Sequence, residues 1–156
     1  MEINITPAGL DDSEHLAGIA RTIIENGLPH TWTAERIRAQ MRHPESLLIV
    51  ARDGRRVAGF AGMRFFDDYA HLLLLAVRRS HRRRGIGRAL MAWFEECAKT
   101  AGTFQIRLER RANNRDALAF YEQLGFRDCG IASGYYSGRE DAVKMSRDLT
   151  RASAES

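Results

Sequence analysis

LLLLAVRRSHRRRGIGRAL occupies residues 72–90. Its apolar run up to Ala76-Val77 reads as a strand. The six arginines at 78, 79, 82, 83, 84 and 88 then form a basic loop around Gly85 and Gly87. Beyond it, Ile86, Ala89, Leu90, Trp93, Phe94, Cys97 and Ala98 fall at helical spacing, and Gly102 ends that helix. A strand from Phe104 to Arg111 follows, with Phe104, Ile106 and Leu108 on one face and Gln105, Arg107, Glu109 and Arg111 on the other. Residues 71–111 are therefore strand, helix, strand, which normally close as a right-handed parallel crossover. The glycine turn suits an anion, because first-turn N–H groups point outward, the helix dipole is positive there and glycine admits close approach.

Working outward, Ile3 and Ile5 suggest a first strand, and Leu16, Ile19, Ala20, Ile23 and Ile24 predict a helix from Asp11 that stops at Gly27 and Pro29. Thr33 caps a second helix with Ile37 and Met41 inward, halted by Pro44. The runs 47–52 and 55–66 read as a hairpin turning at Asp53-Gly54. Asp67 and Asp68 make the next turn, and the strand His71–Val77 completes a meander. Downstream, Asn114 caps a fourth helix to Leu124, closed by Gly125; short strands near 126–131 and 142–145 follow. The expectation is an α+β fold of order β-α-α-β-β-β-α-β-α-β-β, with six to seven mostly antiparallel strands and four helices. Residues 1–149 are expected to form one domain and the tail from residue 150 to be disordered.

With 156 residues, 44% apolar and 28% charged, the chain has globular composition, not that of collagen, long disorder or a coiled coil. No apolar run approaches membrane-spanning length and the start MEINITPAGL has no export signature, so a cytoplasmic protein without a membrane partner is expected. Cys97 and Cys129 give no disulfide framework, and the histidines at 15, 30, 43, 71 and 81 no zinc spacing, so no metal is expected. Net charge is +4, but Tyr69 to Phe94 contains no acidic residue, which points to an anionic ligand. A merely solvated face is the alternative in a chain with 22 Arg and 2 Lys.

Two nucleotide-binding motifs are poorer matches. In G-x-G-x-x-G the glycine sits tight against the strand, whereas Gly85 lies eight residues after Val77, Leu90 takes the third glycine's place, and Glu109 imitates the ribose acid only superficially. G-x-x-x-x-G-K-[ST] is absent. The stretch instead resembles the acetyl-CoA motif [RQ]-x-x-G-x-[GA] of the GNAT superfamily of N-acetyltransferases, at Arg82, Gly85 and Gly87 after Leu75-Ala76-Val77. A second family motif lies in NRDALAFYEQLGF (114–126), at Asn114, Ala117, Tyr121 and Gly125-Phe126. The resemblance covers roughly residues 2–149. It implies a pyrophosphate on backbone N–H groups of Arg82, Arg83, Arg84, Gly85, Ile86, Gly87 and Arg88, pantetheine paired along Leu75–Val77, and cofactor contacts from Asn114 and Ala117. Many members carry proline at Arg79 and glycine at Arg83, so this loop is more basic and stiffer than usual.

Acetyl transfer to an amine requires a proton acceptor for the ammonium and a donor for the leaving thiolate. By resemblance Tyr121 is the acid. Glu109 matches the base of the ribosomal-protein alanine N-acetyltransferases, a subgroup that usually carries an apolar residue at Arg110. The alternatives are a tyrosine that only packs its helix and a glutamate held in an ion pair by Arg107 and Arg111. YYSGREDAVKM (135–145) is similar to the ending of N-terminal protein acetyltransferases, in which Tyr135 and Tyr136 would bind substrate; a core-edge hairpin is the plainer reading. The connection Glu25–Trp32 would form the opposite wall. The resemblance thus implies transfer of acetyl from acetyl-CoA to a protein or peptide N-terminus. A small amine is the second acceptor class, a non-catalytic CoA- or nucleic-acid-binding module the third. A monomer or homodimer without nucleic acid is expected.

Overall fold

The computed structural model describes residues 2–150. Its elements are β1 (Ile3–Pro7), α1 (Ser13–Ile19), α2 (Ala34–Arg42), β2 (Ser46–Asp53), β3 (Arg56–Phe65), β4 (Ala70–Val77), α3 (Ile86–Thr100), β5 (Gln105–Arg111), α4 (Arg115–Gln123), β6 (Arg127–Tyr136) and β7 (Glu140–Asp148). This is the expected order, and the seven strands make a mixed, mostly antiparallel sheet ordered β1-β2-β3-β4-β5-β7-β6. The α3 crossover makes β4 and β5 parallel, at Ala70↔Ile106 and His71↔Arg107. Two compact units are distinguished: residues up to Arg64 with Leu73–Phe94, and Phe65–Leu72 with the described residues from Glu95 onward. Among the described residues no helix is long and apolar enough to cross a membrane. The tail expectation lies outside the described residues beyond Thr150, whose N–H is held by Asp148 Oδ1 at 2.9 Å.

In the first unit Leu16, Ile37, Val50 and Phe60 are wholly buried, each contributing about 1.5–3 kcal/mol relative to exposure. Thr33 caps α2 as its sequence suggests, accepting from the Arg36 N–H at 3.2 Å. Two local readings are corrected. The first helix does not run regularly to Ile24: Ala20–Ile24 is a π-helical turn, closed by the Glu25 N–H donating to the Ala20 carbonyl at 2.9 Å. Thr22 Oγ1 donates to the Gly18 carbonyl just before it, a side-chain bond that competes with the backbone ladder. In the hairpin, Asp53 pairs with Arg56, so the loop residues are Gly54 and Arg55 rather than Asp53 and Gly54. Only Gly54 takes positive φ, 62°, the arrangement that puts glycine first in a two-residue turn.

In the second unit Ile106, Leu108 and Met145 are buried, but Phe104 departs from the expected inward face and is 45% exposed. It precedes β5 and its carbonyl accepts from the Leu149 N–H at 2.8 Å. The last two strands are longer than the sequence suggests. β6 is a glycine-containing edge strand, exposed along most of its length, so it carries little apolar alternation and is specified by pairing with β7.

One glycine sets a close backbone approach. A Cβ on Gly59 of β3 would lie 2.7 Å from the Ala76 carbonyl oxygen, beside the bond from the Arg78 N–H to the Ala58 carbonyl at 2.8 Å. Gly59→Ala should therefore destabilise the protein by about 1–3 kcal/mol, read as a lower urea midpoint. An unchanged midpoint would show that β4 yields there at no cost.

Candidate active site

In the first unit, β4 delivers Leu75, Ala76 and Val77 to the loop before α3. Arg82, Arg83, Arg84 and Gly85 are exposed, Gly87 is half-buried, Arg88 is exposed and Ile86 is buried. Positive φ at Arg83 (62°) and Gly85 (78°) brackets Arg84, bending the chain into a helix whose first-turn N–H groups have no intrahelical acceptor. A Cβ on Gly85 would meet no atom within 4 Å, so glycine serves its dihedral angle rather than close packing. Arg83 holds that region without glycine's freedom. Buried His81, to which the sequence assigned no role, fastens the loop: its Nε2 lies 2.9 Å from Asp53 Oδ2 and its Nδ1 2.9 Å from Ser80 Oγ. The cradle is thus cationic, rich in backbone donors and fixed from behind, which fits a pyrophosphate.

The first unit also contains the connection Glu25–Trp32. The Glu25 carboxylate is buried and accepts from the Thr31 N–H (2.9 Å), the Trp32 N–H (3.0 Å) and the Thr31 hydroxyl, with His30 Nδ1 at 3.1 Å. Burial alone would raise its pKa, but the Thr31 and Trp32 donors outweigh it and hold the group below the usual carboxylate range. The Arg36 guanidinium stacks 3.7 Å from the centre of the Trp32 ring. The expected recognition loop is therefore knotted around one carboxylate.

In the second unit, Glu109 lies on β5 opposite Lys144 of β7. Its Oε1 is 2.6 Å from His71 Nε2 and 3.3 Å from the Tyr135 hydroxyl, and its backbone carbonyl is 3.4 Å from the Tyr136 hydroxyl. The arginines that could have captured it are engaged elsewhere. Arg107 bonds Gln105 and stacks on Tyr69 at 3.8 Å, while Arg111 pairs with Glu140. Arg110 is buried and reaches the Ala112 carbonyl and Asp128.

Tyr135 and Tyr136 end β6 with rings edge to face at 5.0 Å, and Ser137 and Gly138 with positive φ reverse the chain into β7. Tyr121, on α4, is 8% exposed and packs edge to face on Phe126. Burial, then proximity to Tyr136, raises its pKa above the usual phenol range, so the hydroxyl keeps its proton at neutral pH. Asn114 and Ala117, expected at the cofactor, are joined at the start of α4: the Asn114 Oδ1 accepts from the Ala117 N–H at 3.0 Å. The structure therefore brings Glu109, Tyr135 and Tyr136 together and adds His71, which the sequence reading left among scattered histidines.

A sequence profile of the Acetyltransferase (GNAT) family matches residues 14–126. The [ribosomal protein bS18]-alanine N-acetyltransferase of Salmonella typhimurium is 39% identical over 98 residues, covering 61% of this chain and 66% of that one. The chain thus spans just under two thirds of that relative's length. An N-alpha-acetyltransferase of Sulfurisphaera tokodaii is 26% identical over 95% of this chain and 94% of its own. The crystal structure of the ribosomal-protein-S18-alanine N-acetyltransferase of Escherichia coli superposes with a TM-score of 0.80 at 27% identity, over 99% of both chains.

The Glu25 knot gives a signed pH dependence. A carboxylate whose folded pKa is depressed stabilises fully above its unfolded value, near pH 4.3, and loses that contribution as pH falls through the folded value. Glu25→Gln should cost about 1–3 kcal/mol at pH 7, with the gap to wild type narrowing below about pH 4 in urea titrations. A gap independent of pH would remove the charged knot from the account.

Proposed function

The chain belongs to the Acetyltransferase (GNAT) family, and we propose that it transfers the acetyl group of acetyl-CoA to the α-amine at the N-terminus of a protein or peptide. The observation that carries this reading is the meeting of Tyr135, Tyr136 and His71 on Glu109, a carboxylate half-sunk beside two tyrosines. Relatives named for alanine and N-alpha acetylation support the acceptor class.

Acetyl-CoA supplies the activated thioester. In this reading the backbone of Arg82–Arg88 holds its pyrophosphate, Leu75–Val77 pair with its pantetheine, and Asn114 and Ala117 shape the start of α4 nearby in sequence to Tyr121. An α-amine, with an ordinary pKa near 8, needs less help to lose its proton than a lysine near 10.4. The neutral amine attacks, and Glu109 accepts, directly or through water, the proton its nitrogen sheds as the carbon–nitrogen bond forms and the carbon–sulfur bond breaks. Tyr121 gives its hydroxyl hydrogen to the departing sulfur and is reprotonated from solvent. Tyr135 and Tyr136 offer hydroxyls to the first peptide units of the acceptor.

With labelled acetyl-CoA and two peptide sets, one with free N-termini and one with blocked N-termini but internal lysines, label is expected on free N-termini only. Label on neither set, while small amines are acetylated, would transfer the reading to a small-molecule acceptor. Glu109→Gln and Tyr121→Phe should each lower turnover by roughly 10²-fold or more with CoA affinity nearly intact. Gly87→Trp should do the reverse, weakening CoA binding in calorimetry by obstructing the phosphate's approach. Full turnover in the first pair, or full affinity in the third, would reassign those residues as structural.

A further inference from the structure

We propose that His71 is the positioning residue of the base: its Nε2–H grips one oxygen of Glu109 and aims the other at the acceptor amine. The inference rests on the reading of Glu109 as base. β4 alternates strictly, with Ala70, Leu72, Leu74 and Ala76 buried and His71, Leu73, Leu75 and Val77 on the opposite, half-buried side. A histidine in this otherwise aliphatic face loses hydration unless something bonds it, and the parallel register supplies the partner. His71 stands level with Arg107, so Glu109, two residues on, projects from the same face of the neighbouring strand, a diagonal pair within side-chain reach.

The contact is short, 2.6 Å, with the two side chains 24% and 18% exposed. An ionised carboxylate only accepts, so the ring nitrogen facing it carries the hydrogen. Tyr135 donates to the same oxygen at 3.3 Å. Among the described residues, His71 and Tyr135 both meet this carboxylate on Oε1, which leaves Oε2 to take the amine's proton.

The arginines around the pair are engaged elsewhere. On β5, Arg107 stacks on Tyr69 and Arg111 pairs with Glu140. On β7, exposed Lys144 stands directly opposite Glu109 on the same face of the sheet, as cross-strand partners do. From β6, Tyr136 reaches the Glu109 backbone rather than its carboxylate. The longer Tyr135 contact is the weaker of the two, so the orientation of the base depends chiefly on the ring.

The test is steady-state kinetics on a free-N-terminus peptide with His71→Phe, His71→Leu and His71→Gln, alone and combined with Glu109→Gln. A base left free to turn costs on the order of 10- to 100-fold in rate. Phe and Leu variants should lose that much kcat while KM for peptide and acetyl-CoA stays within about 2-fold. Gln, which keeps an N–H at similar reach, should recover most of it, and Phe added to Glu109→Gln should cost nothing further. Melting temperatures identify any variant that fails to fold, in which case the Leu and Gln pair decides. Undiminished kcat in Phe or Leu, a Gln variant as slow as Phe, or an equal loss on top of Glu109→Gln would overturn the proposal. Full activity of Glu109→Gln alone would instead overturn the base reading, and this inference with it.

Discussion

The α3 crossover compels β5 to run parallel to β4, and the register it sets, Ala70 with Ile106 and His71 with Arg107, decides which polar side chains of the second unit meet. Glu109 comes beside His71 because both lie on the half-buried side of adjacent strands, two residues apart in register. A slip of one residue would turn Glu109 to the opposite face, among Ile106 and Leu108. Antiparallel β7 then fixes the other flank of Glu109, and β6, held by β7, brings Tyr135 and Tyr136 in over it. The tyrosines are therefore placed by a chain of strand pairings that starts at the crossover.

Arginine chemistry keeps this cluster clear. The chain uses 22 Arg and 2 Lys, and three arginines lie on β5 itself. Each has an alternative suited to a flat guanidinium: an aromatic face for Arg107, the Glu140 carboxylate for Arg111, and backbone carbonyls with Asp128 for Arg110. Arg147, on β7, likewise meets Glu95. With those cations engaged, the carboxylate of Glu109 is bonded by a ring and a phenol instead of a strong bidentate ion pair, which would tie up both of its oxygens. Arg82, Arg83 and Arg84, before α3, are exposed, which suits the proposed pyrophosphate site.

What the sequence disclosed is what is decided locally. Thr33 and Asn114 read as caps because a cap is a side-chain bond three residues long, and the strand–turn–helix around Gly85 and Gly87 is legible from spacing alone. What stayed hidden depends on partners distant in the chain or on competition between bonds. The π-helical turn at Ala20–Ile24 precedes the Glu25 knot, whose donors lie six and seven residues away in a loop with no periodicity. The contact between His71 and Glu109 spans 38 residues. Its one signal was a polar residue interrupting an aliphatic strand, and that becomes meaningful only once the crossover fixes the register. β6 extends beyond what its sequence pattern suggests because an exposed edge strand has no buried face to alternate with.

The two proposed proton carriers are separated by environment. Tyr121 is packed against Phe126 and near Tyr136, surroundings that disfavour the phenolate and keep the hydroxyl protonated well past neutrality. Glu109 instead meets donors from His71 and Tyr135. A buried hydroxyl that keeps its proton and a carboxylate that can accept one, on one unit of the fold, are the two groups that acid–base transfer needs. Because the Tyr121 hydroxyl does not ionise across the working range, it cannot produce a loss of rate on the alkaline side of neutrality. In this mechanism a rise of rate through about pH 8 belongs to the acceptor amine losing its own proton, and its midpoint should move with the acceptor's first residue while Tyr121 stays unchanged.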